Sequence, residues 1–249
     1  MGIESLIKGK VARELPTSDI DGARDGEPLR IAQYGEAVVM PLASKGLVAA
    51  DEGSHFIATN PTPGTGIATI AALASLVDTS PFILIRNDNP VATVKTRIYL
   101  DYLKLVCTAV GTAGTAVRYA IKTDSAGNRY TSGGSMITPV CTNRDSDRSS
   151  MAQIYAGALV AAAATSGRLL GHGLFRSAIP VINDSYMLNF GGSDPAPTAL
   201  VNNGATLTNA NAVHPPVVIG PGQWCAIHIW LPSQSAASSW EFELSYVER

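Results

Sequence analysis

The chain has 249 residues, of which 46% are hydrophobic and only 15% charged, with a net charge of −2 and a pI near 6.1. An average soluble domain carries about 25% charged residues, so a solvated monomer is a poor match and a protein covered by its own copies or by partners is a better one. The absence of a basic excess argues against a specific nucleic-acid binder, which needs a basic face, and a chain of this length buries roughly 70–75% of its unfolded surface, so it needs no staples to fold.

Residues 1–28 differ from the rest. Ile3, Leu6, Ile7 and Val11 fall on one stripe of a short helix, which Gly9 weakens and Pro16 stops. The polar, aperiodic stretch Thr17 to Pro28 follows. The pattern predicts a short helix on a tether, either packed on its own domain or acting as an arm that reaches a neighbouring subunit. In the second case Ile3, Leu6, Ile7 and Val11 form the subunit interface. Charges at Glu4, Lys8, Lys10 and Arg13 exclude a signal peptide.

From Leu29 to Arg249 the chain reads as a single β-domain. Short strands are expected at Leu29 to Tyr34, Ala37 to Met40, Leu47 to Gly53 and His55 to Thr59. Ile67 to Val77 keeps three-to-four spacing at Ile67, Ile70, Leu73, Ala74 and Val77, which predicts a helix ended before Pro81. Phe82 to Arg86 reads as a buried strand. Val94 to Val110 is the longest extended run, with Ile98, Leu100, Tyr102 and Val106 on one face, and Val117, Tyr119 and Ile121 are expected to return as its hairpin partner.

Thr123 to Gly134 and Asn143 to Ser150 are polar and predict exposed tips. Met151 to Thr165 is undecided, since its alanines favour a helix and its surroundings favour a strand. Arg168 to Ile179 and Ser185 to Phe190 read as strands, and Ser193 to His214 as a long projecting loop. Val217 to Ile219 and Gln223 to Leu231 flank the turn Gly220-Pro-Gly222. The last run is the clearest. Trp240, Phe242, Leu244 and Tyr246 alternate with Ser239, Glu241, Glu243 and Ser245, a period of two that marks a half-buried strand. The whole predicts a mainly β protein: an antiparallel β-sandwich with a short N-terminal helix or arm and one or two short helices.

Chemistry has few candidates. Cys107, Cys141 and Cys225 are odd in number and form no CxxC pair, which favours reduced thiols. His55, His172, His214 and His228 have no ligand-like spacing, and Cys225 and His228 fall on opposite strand faces, so no metal site or cofactor is expected. His228 reads as a hydrogen-bonded core histidine. Asp145 and Asp147 lie beside Arg144 and Arg148, which suits a solvated loop better than a calcium site. No GxSxG, phosphate loop or HExxH occurs, so no enzyme is expected. Trp224 and Trp230 share a strand face and either pack inward or form a sugar platform. The longest apolar run, Ala156 to Ala164, is about half a membrane span, so no membrane partner is expected.

The apolar arm, the polar tether and the strands running to Glu248 resemble a jelly-roll virion protein of a bacteriophage. Arg97-Ile-Tyr-Leu-Asp-Tyr-Leu-Lys-Leu, Arg129-Tyr-Thr-Ser-Gly-Gly134 and Val218-Ile-Gly-Pro-Gly-Gln223 are similar in style to phage head and accessory structural proteins. The resemblance implies a jelly-roll sandwich made in the host cytoplasm and residing in the virion as a cement, decoration or coat protein. Its partners would be copies of itself, as a trimer or pentamer, and other virion proteins. A carbohydrate- or receptor-binding sandwich module is the alternative.

Overall fold

The computed structural model describes residues 45–70, 73–89, 96–111, 116–125, 128–191 and 209–249. The expected N-terminal helix or arm, the boundary at residue 28, and the strands expected at 29–34 and 37–40 lie outside the described residues. In chain order the elements are α1 (Lys45–Asp51), β1 (His55–Thr59), β2 (Ile67–Ala68), β3 (Ile83–Asn87), β4 (Ile98–Ala109), β5 (Val117–Asp124), β6 (Tyr130–Ile137) and β7 (Val140–Cys141). They continue with β8 (Ala152–Ala161), β9 (Arg168–Arg176), β10 (Ser185–Phe190), β11 (Asn209–His214), β12 (Val218–Ile219), β13 (Trp224–Trp230) and β14 (Ser239–Glu248).

The strands form two sheets. One runs β11-β10-β4-β14-β1-β7, with β12 added on β4 and β2 on β14; the other runs β6-β8-β3-β13-β5-β9. The central four of the first, β10-β4-β14-β1, face β3-β13-β5-β9 of the second. Between these eight strands the chain crosses from sheet to sheet at every step except β5 to β9, which are antiparallel neighbours. That order is the double Greek key of a jelly roll. The expected mainly β sandwich is therefore the observed fold, with β6, β7 and β8 inserted between β5 and β9.

The core follows the alternation in the last strand. Trp240, Phe242, Leu244 and Tyr246 are all buried against Ile98, Leu103, Leu105 and Cys107 on β4 and against Cys225, Ile227 and Ile229 on β13. Each such side chain contributes about 1.5–3 kcal/mol on leaving water. The opposite face of β13 is also covered. Leu84, Leu159, Ala161, Trp224 and Ala226 make a second, smaller apolar cluster, with Tyr130 stacked on Tyr155 at 4.0 Å beside it.

Several expectations need correction. Residues 47–53, expected as a strand, belong to α1 and its cap. Gly53 has φ 66°, and its N–H and that of Ser54 donate to the carbonyls of Ala50 and Ala49, a Schellman ending that closes the helix. Among the described residues 67–70 and 73–77 the expected helix is absent: Ile67–Ala68 pair with β14, and Thr69 donates from its N–H and hydroxyl to the Ser238 carbonyl. Pairing across the sheet overrides local spacing there.

Strand β5 is not the hairpin partner of β4. The two lie in different sheets, and so do β13 and β14. The faces of β4 also change midway. A register shift opposite Ser245 and Tyr246 leaves Asp101 unpaired, so the core row runs Ile98, Leu100, Leu103, Leu105, Cys107, and Tyr102 and Val106 leave it. Tyr130–Ile137, expected partly as loop, is strand β6, made possible by Gly133 and Gly134 at φ 80° and 61°. The undecided stretch 151–165 contains strand β8, and the end of the expected loop 193–214 is strand β11.

Candidate assembly surface

Among the described residues, strand β9 ends its sheet. Its sequence, Arg-Leu-Leu-Gly-His-Gly-Leu-Phe-Arg, has no charge between Arg168 and Arg176, and β5 is its partner on the inner side. Leu169, Leu170 and Leu174 on the strand, with Ile179, Val181 and Ile182 in the connection that follows, are between 39% and 54% exposed. Edge strands of stable monomers are usually blunted by lysine, proline or inward charge, and grouped exposed aliphatics mark interaction surfaces. This edge has none of the side-chain defences, although two register shifts, at Leu170 and Phe175, interrupt its pairing with β5.

The strand is held from beneath by aromatic packing. Phe175 packs on Tyr119 at 4.3 Å and on Tyr186 at 5.0 Å between ring centres. His214 meets the Tyr119 ring edge-on and its Nε2 lies 2.9 Å from the phenol oxygen. Burial holds the His214 imidazole below its ordinary pKa. Both rings fit because β9 has glycine above them. A β-carbon at Gly171 would meet His214 Nδ1 at 2.6 Å, and one at Gly173 would meet the Tyr119 hydroxyl at 2.5 Å.

The connection after β9 is clamped by one buried carboxylate. Asp184 pairs with Arg176 and accepts hydrogen bonds from the Val181 N–H at 2.7 Å and the Tyr186 hydroxyl at 3.0 Å. Burial and the adjacent Asp184 charge push the Tyr186 phenol upward. With both ends fixed, the aliphatic side chains between them remain outward.

The opposite edge of the sandwich carries β6 and β7. An open groove of about 520 Å³ lies there, with Met136, Val140 and Met151 beside Asp88, Arg144 and Asp147. The first three are exposed as well. At this end of the sandwich Glu248 is wholly buried, and its Oε1 accepts from the Ser150 hydroxyl at 2.6 Å and the Met151 N–H at 2.9 Å. Burial raises its pKa above the usual carboxylate value, against those hydrogen bonds and the Arg148 charge.

A third polar cluster fastens the inserted segment over β5 and β13. Arg129, 2% exposed, donates from Nη2 to the Asp78 carboxylate at 2.9 Å and from Nε to the Ala162 carbonyl at 3.2 Å. Lys122 also pairs with Asp78, and the Ala164 N–H donates to it at 2.8 Å. Burial raises the Asp78 pKa, but the bonds from Lys122 and Ala164 and the charges of Arg129 and Lys122 outweigh it and leave it lowered. Asp124 accepts from the N–H groups of Thr165 and Ser166. These groups are consumed in holding backbone, which is a structural role.

Among the described residues, the geometry of the other polar side chains does not assemble a nucleophile and base. Ser245 lies 2.9 Å from His55 Nε2 and 3.2 Å from Asp101, so the serine, not the histidine, stands in the middle, and it is fully buried. His228 is buried as expected, but neither ring nitrogen meets a hydrogen-bond partner, and burial brings it down to about 4. Trp224 is buried with the Arg86 guanidinium 5.4 Å above its ring, which removes it from any sugar platform. Asp145 and Asp147 sit on an exposed loop. Cys107, Cys141 and Cys225 are all free thiols. Burial pushes Cys107 up to about 11 and Cys225 up to about 12.

Among the described residues, no three His, Cys, Asp or Glu converge to hold a metal ion, and no helix is long and apolar enough to cross a membrane. The expected interface residues Ile3, Leu6, Ile7 and Val11 lie outside the described residues. The exposed row on β9 is the feature that sequence reading passed over. Its signal was present in the run of aliphatics between Arg168 and Arg176, but exposure depends on β9 being an end strand, which spacing alone does not specify.

The fold and this surface define a jelly-roll β-sandwich with an exposed apolar edge strand. No family model, no curated protein and no solved structure matches the chain.

Proposed function

We propose that this protein is a non-enzymatic structural component of a phage particle, which self-assembles or cements a capsid through contacts between subunits. The observation that carries this reading is the exposed aliphatic edge of β9 and the connection after it on a rigid jelly roll. Its low charge supports the same reading, because small neutral surfaces pack closely between copies. The residues Ile3, Leu6, Ile7 and Val11 act as an arm that docks on a neighbour, and cyclic packing into trimers or pentamers is the arrangement proposed. The mechanism is mechanical: apolar burial between copies resists separation, and no residue performs covalent chemistry. Particle mass in solution tests it, with the full-length chain beside a full-length variant carrying serine at Ile3, Leu6, Ile7 and Val11. A discrete oligomer that weakens in the variant supports the proposal. A monomer in both contradicts the self-assembly it rests on.

A further inference from the structure

We propose that β9 joins two copies of this chain by pairing antiparallel with itself about His172, so that the six-stranded sheet of one subunit continues into that of its partner. The proposal rests on the self-assembly reading above and adds to it a two-fold contact, which joins subunits of neighbouring trimers or pentamers and does not close the ring itself.

The strand reads nearly the same in both directions. Outward from His172 come Gly171 and Gly173, then Leu170 and Leu174, then Leu169 and Phe175, then Arg168 and Arg176. A two-fold antiparallel pair centred on one residue places each position against its mirror position. Leu170 therefore meets Leu174 of the partner subunit, and symmetry makes that contact twice. Aliphatic cross-strand pairs of this kind stabilise a sheet. The glycines meet each other across the axis. The register shifts with β5 fall at Leu170 and Phe175, so the regular stretch centred on the axis is Gly171 to Gly173, with Leu170 and Leu174 flanking it.

Charge does not oppose the pairing. Arg168 faces Arg176 of the partner subunit, but Asp184 neutralises each Arg176 within its own subunit. Area is sufficient in scale. Leu169, Leu170, Leu174, Ile179, Val181 and Ile182 together expose on the order of 500 Å² of apolar surface, against about 800 Å² in total for one side of a standard interface. The strand's outward backbone groups contribute hydrogen bonds in addition, as in other strand-addition contacts.

The test uses the full-length chain with His172→Cys. On the axis this residue meets its own copy, and directly opposed residues of an antiparallel pair lie ~4.5–5.5 Å apart between Cα atoms, within the range a disulfide spans. Mild oxidation is expected to convert most of the variant to a covalent dimer. Wild type and Val140→Cys, on the opposite edge, are expected to remain uncross-linked. A second full-length variant, Leu174→Arg, is expected to raise the dimer dissociation constant at least tenfold, with an unchanged melting temperature at concentrations where both proteins are monomeric. If wild type is oligomeric while His172→Cys fails to cross-link, or cross-links no faster than Val140→Cys, another surface makes the contact and the β9 proposal is overturned while self-assembly stands. An unchanged dissociation constant in Leu174→Arg overturns it equally. A wild-type monomer at every concentration overturns both.

Discussion

Gly171 lies directly beneath the imidazole of His214, so close that a β-carbon at position 171 would stand 2.6 Å from Nδ1. The contact joins the last strand of one sheet to the last strand of the other. It closes the sandwich along the edge where the exposed aliphatic row begins, and it explains why a strand rich in leucine carries two glycines.

Gly171→Ala is therefore expected to destabilise the fold by about 1–3 kcal/mol, the usual cost of forcing extra volume into a packed site. Gly173→Ala should behave alike, since its β-carbon would meet the Tyr119 hydroxyl. Thermal unfolding of each variant measures this. A loss confined to a few tenths of a kcal/mol would mean that the rings move aside freely.

Arg129 is buried with Asp78 and near Asp124. Arg129→Met leaves both carboxylates without their shared cation, and removal of one partner from a buried pair costs about 3–5 kcal/mol. Denaturant unfolding should show a loss on that scale. Because the Asp78 pKa is lowered, its ionisation contributes stability above the unfolded-state value and loses it as pH falls through the folded value. Asp78→Asn should therefore weaken the fold at neutral pH and flatten its loss in acid.

Glu248 has the opposite sign. Its pKa is raised by burial, so the native state binds this proton more tightly than the unfolded chain does. Its contribution is complete in acid, below the unfolded-state value, and is lost as pH rises through the folded value. Glu248→Gln keeps an oxygen for Ser150 and Met151 without the buried charge. The stability difference, variant minus wild type, is expected to grow in favour of Gln as pH rises above about 4.5. A difference that is flat with pH contradicts this assignment.

The three thiols should separate by reactivity. Cys107 and Cys225 are buried with raised pKa values, whereas Cys141 is half-buried and its thiol donates to the Gly53 carbonyl at 3.6 Å. Titration of the native protein with a thiol reagent is expected to show one fast and two slow groups, and three equal rates would contradict it.

The alternation of Trp240, Phe242, Leu244 and Tyr246 made one half of the core legible from sequence, because a period of two fixes which side chains share a face. The pairing of the strands was not legible. Val117 to Asp124 looks like a return of the preceding strand, yet the chain there crosses to the other sheet, and nothing within that segment encodes the choice. The irregularity at Asp101 similarly moved Leu103 and Leu105 into the core and Tyr102 out of it. Ile67 to Val77 had helical spacing but little local commitment, so hydrogen bonds from Thr69 to Ser238 decided its path. The candidate surface was hidden for the same reason: Leu170 and Leu174 look like core residues until β9 is known to be an end strand.

Sedimentation equilibrium of the full-length wild-type chain over a wide concentration range tests the central claim most directly. Self-assembly through apolar contacts predicts a discrete multiple of 26.0 kDa that forms reversibly and persists at high salt. A mass of 26.0 kDa at every concentration would contradict it.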